Sequence, residues 1–121
     1  MNKNAKVLIA EDEVPIARAL SLKLNHEGFQ AMVAVNGKDA LEIMEKEKFD
    51  LLILDLIMPQ LDGFGVLEKI KEKKNKPPVI VISNMSQPED ISRAKEMGAK
   101  DFLIKSDISV AAIVDKIKKY I

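Results

Sequence analysis

Polar residues of the kinds that handle phosphoryl groups stand at the ends of four apolar runs in this chain. Asp55 closes Leu51-Leu52-Ile53-Leu54 and is followed by Leu56-Ile57-Met58-Pro59. The acidic pair Glu11-Asp12 follows Val7-Leu8-Ile9-Ala10, Ser83 follows Val79-Ile80-Val81-Ile82, and Lys105 follows Phe102-Leu103-Ile104. Open α/β sheets bind ligands just beyond the carboxyl ends of their strands, so the four ends define one candidate site. Two like charges ~4 Å apart repel by about 4 kcal/mol at an effective dielectric of 20, so Glu11, Asp12 and Asp55 cannot crowd together without a cation. A hard divalent ion such as Mg²⁺ takes oxygen ligands, keeps several waters and can admit a phosphoryl oxygen. A nearby ammonium and hydroxyl would neutralise and hold that group.

Taken singly, each residue has a plainer reading. Glu11-Asp12 suits a helix N-terminus, where negative charge is worth a few tenths of a kcal/mol to about 1 kcal/mol. Asp55 reads as a loop carboxylate, Ser83 as a turn or helix cap, Lys105 as a solvated strand end and Phe102 as a core side chain. The set, in order and each member at or near a strand end, favours the site. His26 is the only histidine, has no partner in the pattern and reads as a surface residue near a helix end.

The elements that must position this set follow from the apolar pattern. Short apolar runs alternate with longer amphipathic segments five times, as in βα units around a parallel sheet. Strands are expected near residues 6–10, 30–35, 50–54, 79–83 and 100–104. The first, third and fourth are continuously apolar, as when helices cover both faces of a sheet. The second, with Gln30 and small residues, reads as an edge.

Pro15 suits the first turn of helix one, whose Ile16, Leu20 and Leu24 recur at helical spacing, and Gly28 fits its stop. Helix two turns Ala40, Leu41 and Met44 inward. The third is expected from about Gly65 to Lys74, on Val66, Leu67 and Ile70, with Pro77-Pro78 preventing its continuation. The fourth, about Pro88 to Met97, offers only Ile91, Ala94 and Met97 for burial and should be the least firmly held. The last carries Val110, Ile113, Val114, Ile117 and Ile121 on one face. The charged run Lys71 to Lys76 reads as a solvated helix end.

A chain of 121 residues is enough for one domain, here residues 1–121, with one core. Lys plus Arg equals Asp plus Glu at 19 each, so no net field favours nucleic acid or an anionic membrane. Cys is absent, which removes disulfides and thiolate metal sites and suits a reducing compartment. No apolar stretch approaches the ~20 residues of a membrane span, so a cytoplasmic protein is expected.

Glu11-Asp12, Asp55 with Met58-Pro59 and Asp62-Gly63 behind it, Ser83, and Asp101-Phe102-Leu103-Ile104-Lys105 together resemble the receiver domain of two-component response regulators, in particular its single-domain, chemotaxis-regulator-like members. The resemblance covers essentially the whole chain. It implies a flavodoxin-like, doubly wound fold with strand order 2-1-3-4-5 and a site at the switch point between strands one and three. It implies Mg²⁺, with Mn²⁺ as a possible substitute, held directly by Asp12 and Asp55, through water by Glu11 and by the backbone carbonyl of Ile57. Asp55 is then the phosphoacceptor, Lys105 neutralises charge, and Ser83 and Phe102 form a switch that reshapes the fourth helix, fifth strand and last helix.

The implied partners are a sensor histidine kinase or phosphotransfer protein and a downstream protein target, with the chain a monomer or weak dimer. It would catalyse only its own phosphorylation and dephosphorylation.

The pattern departs from the family at two places. Lys105 is followed by Ser106 where proline in a cis bond is usual. Ser83 is followed by the larger, polar Asn84 where a small residue is usual. A non-proline cis bond costs about 2.5 to 4 kcal/mol, so Lys105–Ser106 is expected to be trans. Competing classes are an aspartyl-nucleophile phosphatase, which wants a second Asp at position 57 where this chain has Ile, and a receiver-like interaction module that never takes phosphate. Retention of the acidic pair, Asp55, Ser83 and Lys105 argues against the last. Whether the chain stands alone or is excised from a longer one is left open by the sequence.

Overall fold

A computed structural model describes residues 4–121 and places five parallel strands in one sheet. In chain order the elements are β1 (Lys6–Ala10), α1 (Val14–His26), β2 (Gln30–Ala34), α2 (Gly37–Lys46), β3 (Leu51–Asp55), α3 (Gly63–Lys71), β4 (Val79–Ser83), α4 (Pro88–Glu96), β5 (Asp101–Ile104) and α5 (Val110–Ile117). Short 3₁₀ turns at Lys105–Asp107 and Lys118–Tyr120 follow β5 and α5. The sheet order is β2-β1-β3-β4-β5, so β1 and β3 lie side by side at the middle and β2 is an edge, as the composition predicts.

Alternate residues of the three central strands feed two cores, one on each side of the sheet, rather than the single core expected from chain length. Leu8, Leu52, Leu54 and Val81 face Ala40 of α2, the Val66, Leu67 and Ile70 stripe of α3, and Ala94 of α4. Val7, Ile9, Leu51, Ile53, Ile80 and Ile82 face Ala17, Leu20 and Leu24 of α1 and Ile113, Val114 and Ile117 of α5. Both faces of each strand are therefore dry, which is why β1, β3 and β4 read as unbroken apolar runs. Within α4 only Ala94 is buried, matching its weak apolar stripe.

Several boundaries differ from expectation. Helix α3 starts at Gly63, because Asp62 caps it: its Oδ1 accepts the Gly65 N–H at 2.8 Å. It ends at Lys71, where the Lys73 N–H turns back to the Ile70 carbonyl at 2.8 Å. The apolar stripe of the last helix continues past Ile117, but the backbone tightens there into a 3₁₀ turn. Strand β2 stops at Ala34, whose carbonyl accepts from Glu11, and Val35 is left exposed.

Glycine matters at two points. Gly28 follows α1 with φ +97°, a left-handed conformation that ends the helix. Gly63 lets α3 begin directly against the end of β3: a Cβ there would lie 2.4 Å from the Asp55 carbonyl oxygen and 2.6 Å from the Leu56 Cα.

Candidate phosphoacceptor site

Burial and parallel pairing of β1, β3, β4 and β5 bring their carboxyl ends to one edge. Asp55, the last residue of β3, is 3% exposed although it carries a carboxylate. Glu11, the first residue after β1, is fully buried, whereas Asp12 beside it is exposed. Carboxylate oxygens of Glu11, Asp12 and Asp55 lie within 4.8 Å of one another. Lys105 reaches in from beyond β5: its Nζ donates to Glu11 Oε1 at 2.7 Å, Glu13 Oε1 at 2.9 Å and Asp55 Oδ2 at 3.0 Å. A cleft of about 150 Å³ opens over the cluster, lined by Asp12, Glu13, Asp55, Ile57, Asn84 and Lys105.

The remaining predicted residues stand beside this set. Ser83 is buried at the end of β4, between Asp55 and Lys105 in strand order, and its Oγ accepts the Met85 N–H at 3.1 Å. Phe102 is half-buried in β5 and packs against the core beneath α2, α3 and α4. The Ile57 N–H points to Asp55 Oδ1 at 3.4 Å, and its side chain is 61% exposed. His26 is exposed at the end of α1, as expected. The Lys105–Ser106 peptide is trans, also as expected, since no cis bond occurs among the described residues.

Two pairings at the site are visible only in the fold. Glu13 is a third carboxylate on Lys105, and the only sequence signal for it is the acidic run Glu11-Asp12-Glu13. Asn84 Oδ1 accepts the Ser106 N–H at 2.9 Å, so the two unusual residues are partners of each other.

The electrostatics show a site short of positive charge. Burial, the largest influence, pushes the Glu11 carboxyl up to about 7; the hydrogen bond from Lys105 opposes this and the Asp55 charge reinforces it. Burial also works against the Lys105 ammonium, but hydrogen bonds to Glu11, Glu13 and Asp55 hold its pKa above the ordinary lysine value. Glu11 Oε2 is buried without a hydrogen-bond partner. An orphaned carboxylate oxygen with two further carboxylates in reach fits a hard divalent cation of the Mg²⁺ type.

A raised folded-state pKa has a definite sign for stability. Glu11's contribution is present in full below its ordinary value of 4.5 and is lost as pH rises through about 7. At about 1.4 kcal/mol per tenfold change in proton affinity the loss is on the order of 3 kcal/mol. In metal-free protein, urea unfolding at pH 5 and pH 8 should therefore show wild type losing stability relative to Glu11→Gln as pH rises. A wild type that gains stability relative to Glu11→Gln over that interval contradicts this electrostatic picture.

Another cleft, of about 330 Å³, lies towards the opposite end of the sheet, by Leu67, Ile70, Pro77, Pro78 and Met97. Its charged lining residues are all lysines, so it offers no acid or metal chemistry. No described helix is long and apolar enough to cross a membrane.

Comparison with known proteins agrees with the geometry. The family model described as the response regulator receiver domain matches residues 7–118. Sporulation initiation phosphotransferase F of Bacillus subtilis is 35% identical over 118 residues, covering 98% of this chain and 94% of that protein. A probable transcriptional regulator, ycf27 of Porphyridium aerugineum, is 36% identical over 100 residues, covering 83% of this chain but only 41% of the relative's own length. Among solved structures, the receiver domain of the Francisella response regulator 1452 superposes with a TM-score of 0.89 at 29% identity, covering 97% of this chain and 96% of that one. With the 2-1-3-4-5 sheet and the acidic cluster at its carboxyl edge already in hand, the match over residues 7–118 assigns the chain to the response regulator receiver domain family.

Proposed function

We propose that the chain is a phosphorylation-activated signalling switch in which Asp55 accepts a phosphoryl group from the phosphohistidine of a sensor histidine kinase or phosphotransfer protein. The observation that carries this reading is the Lys105 ammonium 3.0 Å from Asp55 Oδ2, with Glu11 and Asp12 gathered beside them. The name of the Bacillus subtilis relative, a phosphotransferase, supports it.

A carboxylate oxygen of Asp55 attacks phosphorus, the phosphorus–nitrogen bond breaks with its electron pair going to the imidazole, and an acyl phosphate forms. Glu11, Asp12, Asp55 and the Ile57 carbonyl would hold Mg²⁺, which supplies neutralisation of the carboxylate and phosphoryl charge. Lys105, which donates to Asp55 at 3.0 Å, would follow negative charge onto the phosphoryl oxygens.

Ser83 would turn its hydroxyl from the Met85 N–H to the new group, and Phe102 would follow into the space vacated. Phe102 packs against the same core as Ala94, the one buried residue of α4, so the helix beside it has least to hold it. The output surface is then α4, β5 and α5, recognised by a protein partner. NMR tests this directly. Adding Mg²⁺ and beryllofluoride, an inert phosphoryl mimic, should shift amides beyond the site, through residues 84 to 120. Shifts confined to the loops around residues 11, 55, 83 and 105 contradict a propagated switch.

The acyl phosphate should also be slow to hydrolyse. Ile57 is the apolar wall of the cleft over Asp55 and can neither orient nor deprotonate an attacking water. Ile57→Asn supplies a hydrogen-bonding group at the same place and should speed phosphate loss, after donor removal, by about threefold or more, the scale of one net hydrogen bond. A wild type that decays as fast as Ile57→Asn defeats this account of the lifetime.

A further inference from the structure

Lys105 has a long way to reach. It lies beyond β5, yet its ammonium meets Asp55 at the end of β3, with β4 between them in the sheet. The backbone that launches it is a single 3₁₀ turn, Lys105–Asp107, whose N-cap, Ile104, makes no side-chain capping bond. The first N–H groups of any helical turn lack partners within it. Ser106 N–H is one of these, and it is taken by a side chain from another loop: Asn84 Oδ1, 2.9 Å away and 22 residues earlier in the chain. Asn84 follows directly on Ser83, whose own Oγ accepts the Met85 N–H at 3.1 Å and so shapes the backbone around Asn84.

We propose that Asn84 is a positioning residue: by capping the Lys105–Asp107 turn from across the site, it holds the Lys105 ammonium on Asp55 and makes the loop after β4 and the turn after β5 move as one piece. This rests on the phosphoacceptor reading of Asp55. Proline at position 106 has no N–H to offer and disfavours helical backbone at the residue before it, so a Ser106→Pro chain cannot make the clasp. Serine at 106 and asparagine at 84 therefore belong together. The bond uses the backbone of residue 106 and the side chain of residue 84, so the serine hydroxyl is dispensable and the asparagine amide is not.

The test is a double-mutant cycle read by phosphorylation rate with Mg²⁺ and acetyl phosphate, together with exchange of the Ser106 amide proton by NMR. Asn84→Ala should slow phosphorylation by about three- to tenfold, the scale of one net hydrogen bond, and should speed Ser106 amide exchange by about threefold or more. Ser106→Ala, which keeps the N–H, should phosphorylate like wild type. Ser106→Pro should be slow, and adding Asn84→Ala to it should slow it no further, because the partner is already gone.

Full additivity of Asn84→Ala and Ser106→Pro overturns the proposal, as does a Ser106 amide equally protected in wild type and Asn84→Ala. An effect of Asn84→Ala confined to hydrolysis of the acyl phosphate also overturns it, assigning the amide to the attacking water instead. A wild type that takes no phosphoryl group overturns the phosphoacceptor reading and the positioning role with it, while Ser106 exchange still decides separately whether the clasp exists.

Discussion

Asp55→Ala should gain no phosphoryl group under conditions in which wild type gains one, a complete loss rather than a slowing. This carboxylate ends β3, lines the cleft and meets the Lys105 ammonium at 3.0 Å, whereas Glu11 does not line the cleft and Asp12 makes no bond to Lys105. The substitution should leave the fold intact, because it removes one of three carboxylates from Lys105, which keeps Glu11 and Glu13. It also relieves the repulsion that helps raise the Glu11 pKa. Intact mass and thermal unfolding on the same sample separate the two effects. An Asp55→Ala protein that is phosphorylated at the wild-type rate would show that the nucleophile lies elsewhere.

Removal of divalent metal should have an effect nearly as large. The described site has one ammonium for Glu11, Glu13 and Asp55, with Asp12 close by, and no spare charge for an incoming phosphoryl group. Chelation should bring phosphorylation by acetyl phosphate to background, and Mg²⁺ should restore it. Asp12→Ala should weaken Mg²⁺ binding by about fivefold or more, since a unit charge ~4 Å away is worth between about 1 kcal/mol in bulk water and about 4 kcal/mol at an effective dielectric of 20. Asp12 is exposed, so this loss should come with little change in stability. Titration of Mg²⁺ followed by amide shifts measures it, and unchanged affinity in Asp12→Ala would remove that residue from the ligand set.

The parts of this molecule most legible in sequence are those set by burial on two sides. Leu51 to Leu54 alternate between the two cores, so β3 could only be an apolar run, and the polar residue ending it had to emerge at the sheet edge. The same holds for Glu11 after β1 and Ser83 after β4. Helix ends were harder to read, because they depend on single local bonds. Asp62 looks like part of a turn until its carboxylate is seen accepting the Gly65 N–H, and nothing in the stripe Ile113, Val114, Ile117, Ile121 marks where α-helical backbone gives way to a 3₁₀ turn.

Least legible were pairings between separate loops. Glu13 and Lys105 are 92 positions apart, and Asn84 and Ser106 are 22 apart. Residue type alone flags Asn84 and Ser106 as departures. Only the folded arrangement shows that one answers the other.

Whether Asp55 of this chain takes a phosphoryl group is decided by intact mass after incubation with Mg²⁺ and acetyl phosphate. One phosphoryl adduct per chain is expected, acid-stable and base-labile as an acyl phosphate must be, absent without Mg²⁺ and absent in Asp55→Ala. No adduct on folded wild-type protein in the presence of Mg²⁺ would contradict the phosphoacceptor role of Asp55 and leave a receiver fold that binds its partners without phosphorylation.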